Sequence, residues 1–181
     1  MIPNEKTIKA LWDTYHLPPN KRMHCEMVGK VALMLVKKLK QQDATSIIDE
    51  NLLLTAILLH DIDKNIEKLP GERHPDAGVR ILKKEGMDEV AEVIRTHPLH
   101  MICKDDTAPK TIEQQLLFLT DKMTKYECIG IEKRFLMWKK EDYDEESQAI
   151  LDVAYPKVLK LRDEILGSAG ISEEELIRLT K

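Results

Sequence analysis

At 181 residues, with 43% hydrophobic and 33% charged side chains, the chain is long enough for one well-packed domain and too apolar to be a disordered polymer. A net charge of −4 without a basic stripe argues against a broad nucleic-acid-binding surface. Cys25, Cys103 and Cys128 are scattered and form no CxxC pair; they give no sign of a disulfide framework or a thiolate zinc site and suit a reduced, cytoplasmic protein. The start, MIPNEKTIKALWDTY, carries no useful apolar h-region. The longest apolar run falls short of the roughly 20 residues that span a bilayer, so neither a secretory signal nor a membrane span is expected.

Taken in order, residues 4–15 read as a short helix with Ile8, Leu11, Trp12 and Tyr15 on one side. Leu17-Pro18-Pro19 ends it, and Asn20 is a plausible cap for a helix over about 20–41 whose stripe is Val28, Val31, Ala32, Leu35 and Leu39. His24 shares that inward face. Residues 49–61 form the most apolar segment, capped by Asp49. Seven of the eight residues from Leu52 to Leu59 are aliphatic, as befits a helix in the middle of a core. A polar loop, 63–73, leads to His74-Pro75-Asp76, a helix start with Pro at the first helical position, and Gly86 stops that helix. A short helix over 88–97 places Val90, Ile94 and His97 at helical spacing, with His97 at its end because Pro98 follows. Thr111 and Gln114 match a capping box for a helix running to about Cys128. Further helices are expected at 131–139 and 143–167, and Ser172 with Glu175 caps a last short one. No segment alternates as a strand does, so the expected class is all-α.

Four helices thereby offer inward-facing groups: His24, the pair His60-Asp61, His97 and Asp121. Taken singly, most have simpler readings. His24 fits a core histidine, Asp121 a helix-surface charge, His97 a helix C-terminus and His74 a cap, while Lys64 and Lys122 fit solvated lysines. His60-Asp61 is harder to explain that way, because a buried carboxylate needs a compensating partner. Two imidazoles and two carboxylates suit a divalent metal such as iron, manganese, magnesium, cobalt, nickel or zinc. Such an ion polarises a phosphoryl oxygen and lowers the pKa of water, both useful in phosphoester hydrolysis.

The ordered set His24, His60-Asp61, Asp121 resembles the HD superfamily of metal-dependent phosphohydrolases, whose pattern is H…HD…D on a helical core. Leu17-Pro18 with Arg22-Met23-His24 and Val28 resembles the first-ligand segment, and His60-Asp61-Ile62-Asp63-Lys64 the HDIxK motif. His74-Pro75-Asp76-Ala77-Gly78 resembles the following H-x-x-x-G segment, Ile94-Arg95-Thr96-His97 the segment with a further histidine, and Leu119-Thr120-Asp121-Lys122 the ADK segment. Ile131-Glu132-Lys133-Arg134-Phe135 is similar to a stretch of small bacterial and archaeal members. Asp63 stands where a small residue is common, and no GYP segment follows His97, which sets the chain apart from cyclic-di-GMP phosphodiesterases of the HD-GYP kind.

The likeness covers about 17–138 and implies an HD-type helical bundle with the remaining helices, 143–181, packed on it as one domain. It implies His24, His60, Asp61 and Asp121 as ligands of one or two divalent ions. Asp61 would lie nearest a second ion, His74 and His97 would serve that ion or the substrate phosphate, and Lys64 would bond the phosphate. The expected activity is hydrolysis of a nucleotide or other small phosphoester, by a phosphomonoesterase or phosphodiesterase. No nucleic-acid or membrane partner is expected, and a homodimer is compatible with the apolar stripe at 143–167. The alternatives are a non-catalytic nucleotide-binding module and a di-iron oxygenase on the same fold.

Overall fold

The computed structural model describes residues 4–42, 48–141 and 144–181. Among these residues there are nine α-helices and no strand, so the fold is all-α. Helix α1, Glu5–Thr14, is capped by Asn4, whose side chain accepts from the Thr7 N–H. Its buried Trp12 donates from Nε1 to the Leu58 carbonyl at 2.7 Å. This bond satisfies a carbonyl in the last turn of the central helix and ties α1 to the end where His60 begins.

Helix α2, Pro19–Gln41, starts one residue earlier than the sequence suggested. Pro18 stands at the N-cap without a side-chain bond, and Pro19 takes the first helical position, where its missing N–H costs nothing. Asn20 is therefore inside the first turn rather than the cap. Helix α3, Glu50–Leu59, is capped by Asp49, which accepts from the Leu52 N–H at 2.9 Å, while the Asp49 N–H donates to Glu113. Helix α3 packs against α1 and α2, and against α5, Asp88–Arg95, and α6, Ile112–Met123. Leu53, Ala56, Ile57 and Leu59 are fully buried, as the aliphatic run predicts. Asp49→Ala is expected to lower stability by about 1 kcal/mol, or roughly 2–4 °C in melting temperature, read by thermal denaturation.

Helix α4, Asp76–Lys84, also starts differently: Pro75 caps it and Asp76 is the first helical residue. It packs on α5, and Gly78 makes the approach close, because a Cβ there would meet Ile94 Cδ1 at 3.3 Å and Ile62 Cγ2 at 3.5 Å. Residues Leu99–Cys103 make a 3₁₀ turn in what the sequence suggested was open loop. Helix α6 has the capping box at Thr111 and Gln114 but ends at Met123, five residues short of the expected stop. Thr124 turns extended and pairs with Cys128, and the N–H groups of Ile129 and Gly130 both donate to the Met123 carbonyl, so the helix end is closed by a tight reversal instead of another turn. Gly130, at φ +82°, then launches α7, Ile131–Lys139.

Helix α8, Glu145–Ala169, is capped by Asp144 and lies on α2, α6, α7 and the 3₁₀ turn, burying Leu151, Ala154, Val158 and Ile165. Most of its stripe is thus covered by the rest of the chain, while Val153 stays about half exposed. Helix α9, Glu173–Leu179, is capped by Ser172 and rests on α2. Phe118 and Phe135 are the bulkiest fully buried side chains.

Candidate metal centre

The polar residues of the central elements converge at one end of α3. His60 keeps helical dihedrals just past Leu59, and the chain then tightens through Ile62 N–H to Leu59 O and Lys64 N–H to Asp61 O, both 3.0 Å. The turn presents His60, Asp61 and Asp63 in a buried setting, 1%, 4% and 0% exposed. Helix α2 brings His24, α6 brings Asp121, the end of α5 brings His97, and the segment before α4 brings His74.

The four imidazoles are held alike. His60 Nδ1–H donates to Ile57 O at 2.6 Å and His97 Nδ1–H to Ile94 O at 2.5 Å. His24 Nδ1–H donates to Lys125 O at 2.8 Å, and His74 Nδ1–H to Asp63 Oδ1 at 2.7 Å. An acceptor at Nδ1 fixes the tautomer and leaves Nε2 as the free lone pair, the usual outer support of a metal-binding histidine.

The Nε2 atoms then crowd one another and the carboxylates. His24 Nε2 lies 2.9 Å from Asp121 Oδ1, and His74 Nε2 2.8 Å from His97 Nε2. His60 Nε2 is buried and has no hydrogen-bond partner among the described residues; Asp121 Oδ1 and Asp61 Oδ1 stand off at 3.6 and 3.8 Å. Lone pairs facing each other at such distances need a cation or a proton between them. The donor set and the orphaned nitrogen therefore fit a metal ion. His24, His60 and Asp121 form one group of donors within 4.8 Å of each other, and His60, Asp61 and His97 a second, sharing His60.

Charge at the centre is balanced by lysines. Lys21 Nζ is 3.1 Å from Asp61 Oδ2 and Lys64 Nζ 3.4 Å from Asp61 Oδ1, while Lys122 pairs with Asp121. Burial alone would raise the Asp61 pKa; His60, Lys64 and Lys21 outweigh it and hold the carboxyl well below the ordinary carboxylate range. Burial works the same way against Asp121, and Lys122 with His24 and His60 overcomes it. His97 is pushed down by burial and by His60, His74 and Lys122, which keeps its lone pair available. Burial opposes a charge on His60, yet Cys25 and the two carboxylates draw its pKa up. A carboxylate at the end of an apolar helix does require compensation, and the fold supplies it in part from its own lysines.

These groups line a cleft of about 280 Å³ that includes His24, Asp61, Lys64, His74, His97 and Asp121. Every site residue expected from the sequence therefore lies at this centre, as does Lys122. His100, three residues after His97, lines an adjoining cavity with Trp138 and Ile150.

A family model of the HD domain matches residues 22–126, more than half the chain. The chain belongs to the HD-domain family. No curated protein and no solved structure matches it. The HD superfamily is one of metal-dependent hydrolases, and the HD-domain segment spans His24, His60-Asp61 and Asp121 together with His74 and His97. No helix among the described residues of this HD-domain protein is long and apolar enough to cross a membrane.

Lys21, which lines the cleft, and Asp63, buried behind it, carry roles that the motifs alone do not display. Lys21 sits one helical turn before His24, an i,i+3 spacing that puts it on the same face. Asp63, noted only as an unusual residue of the HDIxK turn, is the fully buried acceptor that orients His74. Asp63→Ala is expected to lower activity or metal affinity roughly 10–100-fold, the usual cost of losing such a support. Steady-state kinetics and metal titration of the variant check this.

Proposed function

We propose that this HD-domain protein is a phosphohydrolase in which His24, His60, Asp61 and Asp121 hold one divalent ion, and that its substrate is a nucleotide or other small phosphoester. The observation that carries the reading is the convergence of four Nδ1-anchored imidazoles on two carboxylates, around a buried His60 Nε2 with no protein partner. When bound, the ion would act as a Lewis acid toward a phosphoryl oxygen and acidify water. The chain's own residues do the rest. Lys64 and Lys21 flank Asp61 and Lys122 flanks Asp121, so three ammonium groups stand where phosphate charge enters. His74, held through Nδ1 by Asp63 with Nε2 facing the cleft, is the group positioned to give or take a proton at the substrate oxygen. His97 Nε2, beside it at 2.8 Å, binds phosphate or a second ion.

The reading takes residues 1–181 as one cytoplasmic domain without a nucleic-acid or membrane partner; the burial of the α8 stripe against α2 and α6 supports the single unit. The test is metal analysis of the purified protein with a phosphate-release panel of nucleoside monophosphates, cyclic nucleotides and simple phosphomonoesters. Metal binding with release from at least one class is expected. A protein that neither binds metal nor releases phosphate overturns the proposal. The two donor groups sharing His60 also suit a pair of ions, which favours a di-iron oxygenase as the second reading. A stable di-iron signature by Mössbauer spectroscopy, without phosphate release, would select it.

A further inference from the structure

The cleft is more cationic than its carboxylates require. Lys21, Lys64, Lys122, Lys125 and Arg134 line it, against Asp61 and Asp121. The first three pair with those two carboxylates. Lys125 and Arg134 have no carboxylate partner among the described residues; Lys125 Nζ lies over the Tyr126 ring at 5.9 Å and the Arg134 guanidinium over the Trp138 ring at 4.6 Å. Arg134 Nε is, in addition, buried without a hydrogen-bond partner among those residues. A guanidinium whose Nε–H is shielded from water and unpaired is held ready for an acceptor.

Lys125 is placed by a segment that helps build the centre, and Arg134 by the helix that follows it. Lys125 sits in the reversal closed by the Thr124–Cys128 pair, and its own carbonyl accepts from His24 Nδ1–H, so the residue that aims this imidazole also delivers an ammonium to the cleft. Arg134 lies on the first turns of α7, whose start is fixed by Gly130, and the ring of Trp138, one turn on, braces its guanidinium. Neither is needed to neutralise the carboxylates.

We propose that Lys125 and Arg134 form a second anion subsite in the cleft, so that the preferred ligand carries a second negatively charged group beyond the phosphate met by Lys21, Lys64 and Lys122 at the centre. The inference rests on the phosphohydrolase reading for the first phosphate. It excludes a neutral alcohol as the best leaving group and selects a bisphosphate, a phosphoanhydride or a phosphorylated acid.

The test is isothermal titration of protein reconstituted with Mn²⁺, using propylphosphonate and propane-1,3-bisphosphonate. Their C–P bonds resist hydrolysis and they differ by one anionic group. Protein-bound metal is measured after each titration. The wild type is expected to bind the bisphosphonate about 10-fold or more tightly than the monophosphonate. Arg134→Gln should abolish most of that preference while leaving propylphosphonate within about 2-fold, with Arg134→Lys retaining part of it. Lys125→Gln should act in the same direction, and its partly exposed side chain makes it the deciding variant if Arg134→Gln melts early. A wild type without the preference overturns the subsite, as do variants that weaken both ligands equally. Failure of propylphosphonate to bind the Mn²⁺ protein would sink the phosphohydrolase reading and the subsite together, whereas its binding without a preference for the bisphosphonate sinks the subsite alone.

Discussion

Removal of the divalent ion by chelation and dialysis is expected to lower the melting temperature by about 10 °C. An ion present at roughly 1,000 times its dissociation constant stabilises the folded state by about 4 kcal/mol, and a 150–250-residue domain shifts about 2–4 °C per kcal/mol. The mechanism is the crowding at the centre. Without a cation, His24 Nε2 and Asp121 Oδ1 at 2.9 Å, and His74 and His97 Nε2 at 2.8 Å, must recruit protons or move apart. His60 Nε2 stays buried and unpaired, at a cost of about 1–3 kcal/mol. The loss should be partial rather than complete, because Lys21 and Lys64 still neutralise Asp61 and the apolar core of α3 does not depend on the ion. Scanning calorimetry with and without chelator, with residual metal measured, decides the matter. An unchanged melting temperature after verified removal would count against the centre.

Asp61→Asn should reduce phosphate release by about 10²–10³-fold, the scale seen when one group acting on developing charge is lost from an active site. The substitution keeps the shape and one acceptor oxygen but removes the charge on which Lys21, Lys64 and His60 converge. Those lysines are then left without their carboxylate, and the ion loses an anionic donor. Metal content should fall along with activity, which separates this outcome from simple mispositioning. A variant with full metal content and wild-type turnover would remove Asp61 from the proposed role. The control is the Asp49→Ala cap variant, which should lose about 1 kcal/mol of stability and keep its turnover.

Much of the fold and of the centre is legible in the sequence. The aliphatic run from Leu52 to Leu59 marks the buried central helix because no other arrangement hides an all-round apolar surface. Asp49, Thr111 and Ser172 mark helix starts because their side-chain oxygens reach N–H groups that the helix leaves unpaired. The H…HD…D order marks a centre assembled from separate helices. What the sequence does not display are particular side-chain and backbone pairings, some between separate elements and some within a short turn. That Lys21 compensates Asp61 follows only from where α2 packs on the turn after α3, whereas Lys64 reaches the same carboxylate locally from three residues on. Asp63 reads as a variation in the loop, and its role as acceptor for His74, eleven residues on, exists only in the fold. The early end of α6 is set by the pairing of Thr124 with Cys128, a two-residue ladder too short for any alternation to betray.

The anchoring of the imidazoles has a bearing on folding. His60 and His97 each donate to the carbonyl three residues back, within their own helix ends, whereas the acceptor of His24 is 101 residues away. Closing a loop of three residues costs little chain entropy and closing one of a hundred costs more. Two rings are thus aimed as soon as α3 and α5 form, and the third only when α2 meets the reversal after α6. A partly folded chain therefore presents an incomplete set of nitrogens, and tight ion capture would report that α2 has docked on the reversal after α6.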